Sequence, residues 1–498
     1  PSQGPEPMRS LSGRRMRFRP QSLQLRGLSH VSLDKRHGFS LARSHKRQPI
    51  ARDWSTARKR FSATIACIST GLIGVLIGIY AGMVPSIQYY IADFHHYAIL
   101  GNVFFYIGLA IPTVFFWPLP LLHGRKPYIL ASMALAMPLL FPQAIAVGRQ
   151  RSPYVATYRV GLILPRAFMG MALGFANMNF HSILTDLFGA SLQSSKPHQE
   201  LVTMGDVRRH GGGLGVWLGI WTWCYVGSIG FGFLIGASII NTLSPDWGFY
   251  VCIIIIAAVL LLNVITPEVR RSAYRRSVTE VRTKDDISRR LARGEVMMHR
   301  VQTGPKWWGE EVYHGIMLSA EMLRQPGFAV MALYVGWTYA QVVLVIVLLG
   351  SLMSKYYKFA SPSVGGATMA IPIGALLAVP FQKASLLSRS RKGPQRTDSM
   401  TFDKRVTWSS HLIRRSIFTL TLPFAGMAYT LASEGPPTPF ILPILFAGLI
   451  GFLSSLAVAE CTGIIMETFD TSDLQPGMTG RPRGPSGERT AHKRTNYS

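Results

Sequence analysis

The sequence predicts an all-α membrane protein that crosses the bilayer ten times. Long apolar stretches recur along most of the chain, and roughly 20 helical residues are enough to cross a hydrocarbon core about 30 Å thick. The composition agrees with this, because 48% of the 498 residues are hydrophobic and only 15% are charged. Since a backbone in lipid must satisfy its own hydrogen bonds, we expect every span to be helical.

The predicted spans form a block of six and a block of four. In order, they are 61–83, 97–121, 127–147, 155–178, 213–240, 246–267, 327–353, 362–385, 412–433 and 438–466. The expected organisation is a basic N-terminal tail 1–60, a six-helix bundle 61–267, a connector 268–326, a four-span bundle 327–466 and a basic segment 467–498. Because linked membrane bundles are commonly repeats of equal size, we expect a fragment that lacks its last two spans.

Basic residues are concentrated in three segments outside the spans. The chain has 52 Lys and Arg against 24 Asp and Glu, and the excess lies in the tail, in the connector and in the loop 386–411. The positive-inside rule places all three in the cytoplasm, and the even number of spans between each pair requires the same. The tail also resembles a mitochondrial transit peptide in composition, but we favour a cytoplasmic tail attracted to anionic lipid, at the plasma membrane or the vacuolar membrane.

Several function classes lack their signatures in this sequence. The basic segments are short and dispersed, so we expect no nucleic-acid partner. There is no GxxxxGK(S/T) phosphate loop for ATP hydrolysis, no repeated histidine cluster for a membrane di-iron enzyme, and no carbonyl signature of a channel filter. We therefore expect no enzyme activity, metal or cofactor. The four cysteines all fall in apolar spans and are expected to be buried; they are Cys67, Cys224, Cys252 and Cys461.

The turn after the second span carries the sequence Gly124-Arg125-Lys126. It resembles the signature turn of the major facilitator superfamily, GxxxDRxGR(R/K), at the last glycine and at both terminal basic positions. Trp117 and Leu121 stand where the family has its first glycine and its aspartate. Glycine permits a tight turn, and the adjacent cations can hold a neighbouring helix end. The resemblance implies a gating role for this turn, and an ordinary positive-inside turn is the alternative.

Arg166 lies well inside the fourth predicted span. A buried arginine costs several kcal/mol in a membrane unless it faces a polar cavity or a partner, so it is a functional candidate. Gly170 and Asn177 share its helix face, and Asn177 is a candidate for lining a cavity. The arginine with a glycine four residues later resembles the family's fourth-span pattern, which implies a role in proton coupling or substrate passage. A structural arginine bound to backbone carbonyls is the alternative.

Regularly spaced glycines mark the first and fifth spans. Small residues let membrane helices approach closely, so we expect these glycines to pack helices and to permit sliding. The fifth span resembles the G(x8)G(x3)GP(x2)GG pattern of drug:proton antiporters, with Phe233 in place of the proline. The glycines concerned are Gly74, Gly78 and Gly82 in the first span and Gly219, Gly232 and Gly236 in the fifth.

Few polar side chains remain to handle substrate and protons. Tyr334, Trp337 and Gln341 share a face of the seventh span and are candidates for lining a cavity, although interfacial aromatics also explain the first two. Proton coupling needs a group whose pKa can change with access to either side. Asp93 after the first span and Glu460 in the tenth are the carboxylate candidates.

The resemblance covers roughly residues 55–470, and it is to fungal drug and polyamine exporters of the drug:proton antiporter type. It implies a monomeric secondary transporter in the lipid bilayer that exchanges a small organic solute for protons by alternating access. The alternative is a sensor or scaffold that keeps the helices without transporting, which the incomplete turn motif and the missing proline favour.

Overall fold

The structure is a computed structural model. It describes residues 51, 54–188, 214, 216–269, 278, 307–382, 389–391, 408–410 and 412–471. The predicted tail 1–60, connector 268–326 and terminal segment 467–498 lie largely outside these residues.

The described part of the chain is helical almost throughout. Its helices are α1 Thr56–Tyr90, α2 Leu100–Phe115, α3 Leu119–His123, α4 Lys126–Ala136, α5 Leu140–Val147, α6 Ala156–Phe188, α7 Val216–Thr242, α8 Asp246–Ile265, α9 Trp308–Leu323, α10 Pro326–Lys355, α11 Ser361–Thr368, α12 Ala370–Ala378, α13 Leu412–Ala432 and α14 Ile441–Thr471. Short 3₁₀ turns, Tyr97–Ile99 and Val379–Gln382, precede α2 and follow α12. Strands β1 Arg389–Arg391 and β2 Trp408–Ser410 pair antiparallel in the basic loop.

Nine segments of the described chain are long and apolar enough to cross a membrane. They coincide with nine of the ten predicted spans. The remaining predicted span, 412–433, is helix α13, whose first turn carries Arg414 and Arg415 and which does not reach the same apolarity. The prediction of an all-α polytopic membrane protein is confirmed, and the short β1–β2 pair is an element that the sequence did not predict.

Proline interrupts two of the predicted spans. The second span ends as helix α2 at Phe115, and the short helix α3 begins directly after Pro118. The third is divided into α4 and α5 around Pro138. Proline lacks the amide hydrogen that a continuous helix needs and clashes with the preceding turn. The turn at Gly124 is therefore reached through a short helix rather than directly from a full span.

The two larger clusters of the buried core meet at helix α7, and a small third cluster consists of Ala378, Phe418 and Leu456. Apart from Ala459, residues up to Val269 form the first cluster. The second cluster combines helices α10–α14 with four side chains of α7; these are Val226, Ile229, Phe233 and Ala237. Helix α7 packs against α1 and also against α11, α12 and α14. It therefore connects the first helix group, α1–α8, to the second helix group, α10–α14.

Candidate functional site

The turn at Gly124 joins the ends of three helices through buried charges. Arg125 is only 6% exposed. Its Nε donates to Asp186 Oδ2 of helix α6 at 2.7 Å, and its Nη1 donates to Asn179 Oδ1 at 3.2 Å. Glu268, just after helix α8, accepts from the backbone N–H of Arg125 at 3.2 Å. The guanidinium in the turn is thus paired with Asp186, and Glu268 binds the backbone of the same turn.

Lys126 completes this cluster through its backbone and its side chain. Its backbone N–H donates to Glu268 Oε2 at 2.8 Å, and its Nζ donates to the carbonyl oxygen of Val264 at 2.6 Å. The carbonyl belongs to the last turn of helix α8, where a cation is favourable. The structure therefore brings Gly124, Arg125 and Lys126 together with Asp186 and Glu268, two acids that the sequence did not single out.

Replacement of Gly124 tests how much strain this turn bears. Gly124 has φ of 102° and ψ of 163°, a conformation that is open to glycine and costly for a side chain. We expect Gly124→Ala to destabilise the protein by about 1–2 kcal/mol, measured by unfolding of the purified protein in mixed micelles. Gly161→Ala is the matched control, because an added Cβ there meets nothing within 4 Å. Equal stability of the two variants would contradict this expectation.

Arg166 is buried at the centre of the first helix group, with 1% of its surface exposed. Its Nη2 donates to Asn102 Oδ1 at 2.7 Å and to the carbonyl oxygen of Leu76 at 3.2 Å. The guanidinium lies over the rings of Tyr80, at 3.9 Å, and Phe105, at 5.1 Å. Among the described residues no carboxylate forms an ion pair with Arg166, and its Nε has no hydrogen-bond partner. The charge is therefore held by dipoles and ring faces alone.

Asp93 lies at the opposite end of the first helix group from the Gly124 turn. It is 7% exposed, and its Oδ2 accepts from the backbone N–H of Ala98 at 2.7 Å. The hydroxyl of Tyr80 donates to the carbonyl oxygen of Ala98 at 2.6 Å. Asp93 thus holds the 3₁₀ turn Tyr97–Ile99, and the contacts described for it do not include Arg166.

The glycines of helices α1 and α7 interlock. An added Cβ at Gly78 would lie 2.7 Å from the amide nitrogen of Phe233, and one at Gly82 would lie 2.6 Å from the carbonyl oxygen of the same residue. Gly232 and Gly236 face helix α1 in the same way, and Gly74 packs against α7 as well. The backbones of α1 and α7 are therefore in direct contact along several turns.

The other two packing glycines lie at different interfaces. Gly170 of helix α6 faces the backbone of Phe105 in helix α2. Gly219 faces the 3₁₀ turn after helix α12, where an added Cβ would lie 3.0 Å from a Val379 side-chain atom and 3.2 Å from Gln382 Oε1. The glycines of the fifth span thus serve two contacts, one within the first helix group and one between the groups.

A buried polar network connects the two helix groups near Gly219. Gln382 Nε2 donates to Thr222 Oγ1 of helix α7 at 3.0 Å and to Ser455 Oγ of helix α14 at 3.1 Å. Arg414 of helix α13, 3% exposed, donates from Nη2 to the carbonyl oxygen of Gln382 at 3.2 Å. Its Nε forms an ion pair with Glu460 of helix α14. Glu460 is therefore the carboxylate of a network that extends from helix α14 to helix α7.

Two of the predicted cavity residues of the seventh span lie against helix α13. Tyr334 donates from its hydroxyl to the carbonyl oxygen of Thr419 in helix α13 at 2.6 Å. Gln341 lies beside Gly426 of the same helix, and Trp337 is 39% exposed. Asn177 of helix α6 is half-buried. The rings of Tyr334 and Trp337 are in contact, with centroids 5.7 Å apart, and none of the contacts described for Asn177 joins it to the other three.

The chain is similar to several solved structures at low sequence identity. They include the proton:xylose symporter XylE bound to 6-bromo-6-deoxy-D-glucose, with a TM-score of 0.47, 14% identity and coverage of 83% of this chain and 82% of that chain. For the xylose transporter XylE from E. coli in a partially occluded inward-open conformation, the TM-score is 0.43 and the identity 13%, with coverage of 84% of this chain and 86% of that chain. For the human organic anion transporter MFSD10, the TM-score is 0.37 and the identity 16%, with coverage of 84% of this chain and 95% of that chain. No family model and no curated protein matches the chain. Because these scores and identities are low, the likeness carries no role over to this chain.

Sequence reasoning missed the partners of the charges and one group of aromatic rings. Asp186, Glu268 and Arg414 lie at helix ends, where a charged residue is ordinary, and only the fold shows that they are paired. The sequence analysis selects Tyr334 on helix α10, whereas the structure places Tyr339 of that helix against the first helix group, with its hydroxyl 3.5 Å from that of Tyr106.

Proposed function

We propose that this chain is a secondary transporter of the major facilitator type, which exchanges drug- or polyamine-like solutes for protons by alternating access. The observation that carries the proposal is the buried Arg414–Glu460 ion pair beside the contact between the helix groups. Ionisable residues inside a membrane are expensive and are kept where charge or substrate must move. An ion pair beside the contact between the helix groups can link a change of protonation to a movement of one group against the other.

Through this network, protonation of Glu460 changes the contact between the two helix groups. Protonation of Glu460 removes the attraction that holds Arg414, and Arg414 also binds the carbonyl of Gln382. The Gln382 side chain in turn binds Thr222 of helix α7. A proton on Glu460 therefore loosens the link between the two helix groups, and loss of that proton restores it. This is a differential interaction with two states, as coupling requires.

The remaining elements have supporting roles in this proposal. The six spans of 61–267 and the spans of 327–466 move as two bundles in a monomer, with the N-terminus and the long basic loops on the cytoplasmic side of the plasma membrane. The turn of Gly124, Arg125 and Lys126 holds the helix ends in one state. Arg166 handles charge within the first bundle. The glycines of helices α1 and α7, expected from the sequence to permit sliding, are proposed instead to keep that bundle rigid, because the two backbones are in direct contact.

Substrate-dependent proton movement in sealed vesicles tests the proposal. The purified full chain is reconstituted with an internal pH dye, and planar aromatic drugs and spermidine are added under an imposed pH gradient. A transporter changes the internal pH when its solute is present, and vesicles without protein do not. A folded protein that moves neither solute nor protons would instead establish the non-transporting scaffold.

Replacement of Glu460 tests the coupling step. Glu460→Gln mimics the protonated carboxyl, so we expect proton-driven accumulation to fall about tenfold or more, the effect of a single lost charge interaction of at least 1.4 kcal/mol. Exchange of labelled for unlabelled solute without a pH gradient is expected to persist, which shows that the variant is folded. Glu434→Gln is the control, because Glu434 is an exposed carboxylate beyond helix α13. Accumulation equal to that of the unchanged protein would remove Glu460 from the mechanism.

A further inference from the structure

Five aromatic side chains from four helices form a continuous column between the two helix groups. His181 of helix α6 contacts Trp221 of helix α7 with ring centroids 4.5 Å apart, and Trp221 stacks on Tyr225 at 5.2 Å and 12°. Tyr225 contacts Tyr339 of helix α10 at 4.7 Å, and Tyr339 meets Tyr106 of helix α2 edge to face at 6.1 Å. The column thus begins and ends in the first helix group and passes through the second at Tyr339.

Two polar atoms inside this column have no hydrogen-bond partner among the residues that the structure describes. They are Nε1 of Trp221 and Nε2 of His181, and both are buried. Each of the two residues is nevertheless only half-buried as a whole. An indole N–H can only donate, and leaving it buried and unpaired is costly. A site with aromatic faces and unused polar atoms is what a small-molecule pocket presents.

The charges around the column restrict the chemistry of a ligand. None of the ring contacts and hydrogen bonds described for these five side chains involves a carboxylate. The nearest acid along helix α6, Asp186, is paired with Arg125. A protonated polyamine can lie over ring faces, but it has no acceptor for the indole N–H, and no carboxylate described at the column pairs with its ammonium groups. A planar ring with a carbonyl or carboxylate oxygen can stack on the faces and also accept from Trp221.

We infer that this column is the substrate site and that it takes a planar aromatic solute bearing a hydrogen-bond acceptor. The solute stacks on Trp221 and Tyr225 in the space opened when Tyr339 moves away with the second helix group, and its oxygen accepts from Trp221 Nε1. This inference rests on the proposed transport function and narrows its substrate class to aromatic acceptors, to the exclusion of polyamines.

Binding of radiolabelled coumarin to the purified full chain tests the site. Coumarin is planar and neutral and has a ring carbonyl, whereas naphthalene has a similar shape without an acceptor. Trp221→Phe keeps a ring and removes the N–H, so we expect the coumarin dissociation constant to rise about five- to tenfold. Naphthalene competition is expected to be weak and equal in both proteins. Trp247→Phe, at a ring that is 49% exposed on helix α8, should leave coumarin binding unchanged.

The outcomes that would overturn the binding site can be distinguished from those that would overturn the transport proposal. Equal coumarin affinity in Trp221→Phe and the unchanged protein, or displacement of coumarin by spermidine at equal concentration, would show that the indole does not select the ligand. Transport of spermidine without any coumarin binding would overturn the substrate class and leave transport standing. Trp221-dependent binding of coumarin without flux would uphold the site and overturn transport.

Discussion

In sealed vesicles, an Arg166→Ala variant is expected to move no more solute than vesicles without protein. The guanidinium binds Asn102 in helix α2 and the carbonyl of Leu76 in helix α1, so its loss removes the charged donor that links these two helices to helix α6. Hydrogen bonds to charged groups contribute about 1.5–3 kcal/mol each. A loss of that size is sufficient to shift the geometry of the three helices that meet here.

The Arg166→Lys variant separates charge from geometry. Lysine keeps the positive charge. Its ammonium is not planar, so it cannot lie flat over the ring of Tyr80 and donate to Asn102 at the same time, as the guanidinium does. We expect it to retain a measurable fraction of flux, reduced about tenfold, which is the effect of roughly one hydrogen bond. A lysine variant as inactive as the alanine variant would show that the shape of the guanidinium, and not its charge, is what transport needs.

Arg159→Ala is the matched control for Arg166→Ala. Arg159 lies two turns earlier on the same helix, and its described contacts are with the carbonyl of Pro153 and the ring of Tyr97 near the helix end. We expect the flux of Arg159→Ala to stay within about twofold of that of the unchanged protein, because the described contacts of Arg159 lie at the helix end and not between helices α1, α2 and α6. Unchanged flux in Arg166→Ala, measured beside this control, would remove Arg166 from the mechanism.

The sequence was sufficient for the helices and for the rare residues inside them. Spans follow from apolar length, and Arg166 is conspicuous because a cation within an apolar stretch is costly wherever it lies. The glycines at every fourth position predict a close helix contact, because only close approach requires them. These features depend on one helix at a time, and a linear pattern records them.

The pairing of one helix with another could not be obtained in this way. On helix α10, Tyr334 and Tyr339 are equally plausible as cavity residues, and which of them faces the first helix group depends on how the helix is rotated. Arg414 and Glu460 are 46 positions apart, so nothing local in the sequence relates them. The β1–β2 pair was missed for another reason, since three-residue strands are too short to give an alternating pattern.

Gly78→Ala is expected to destabilise the protein by about 3 kcal/mol, at the upper end of what overpacking usually costs. The added Cβ would lie 2.7 Å from the amide nitrogen of Phe233 and 2.8 Å from the Cα atom of Gly232, and it would also meet the carbonyl oxygen of Ile229. All three are backbone atoms of helix α7, so no side chain can rotate to make room. Helices α1 and α7 must separate, and dispersion contacts along the interface weaken with distance.

Gly71→Ala on the same helix is the matched control for this substitution. Its added Cβ would lie 3.8 Å from Cβ of Ser228 and 3.9 Å from Cβ of Cys224, which is ordinary contact, so we expect stability within about 0.5 kcal/mol of the unchanged protein. Both variants raise helix propensity equally, and their difference in unfolding free energy, measured with detergent denaturation in mixed micelles, isolates the interface. If the two variants unfold alike, the α1–α7 contact is looser than the structure has it, and the first helix group cannot move as one rigid body.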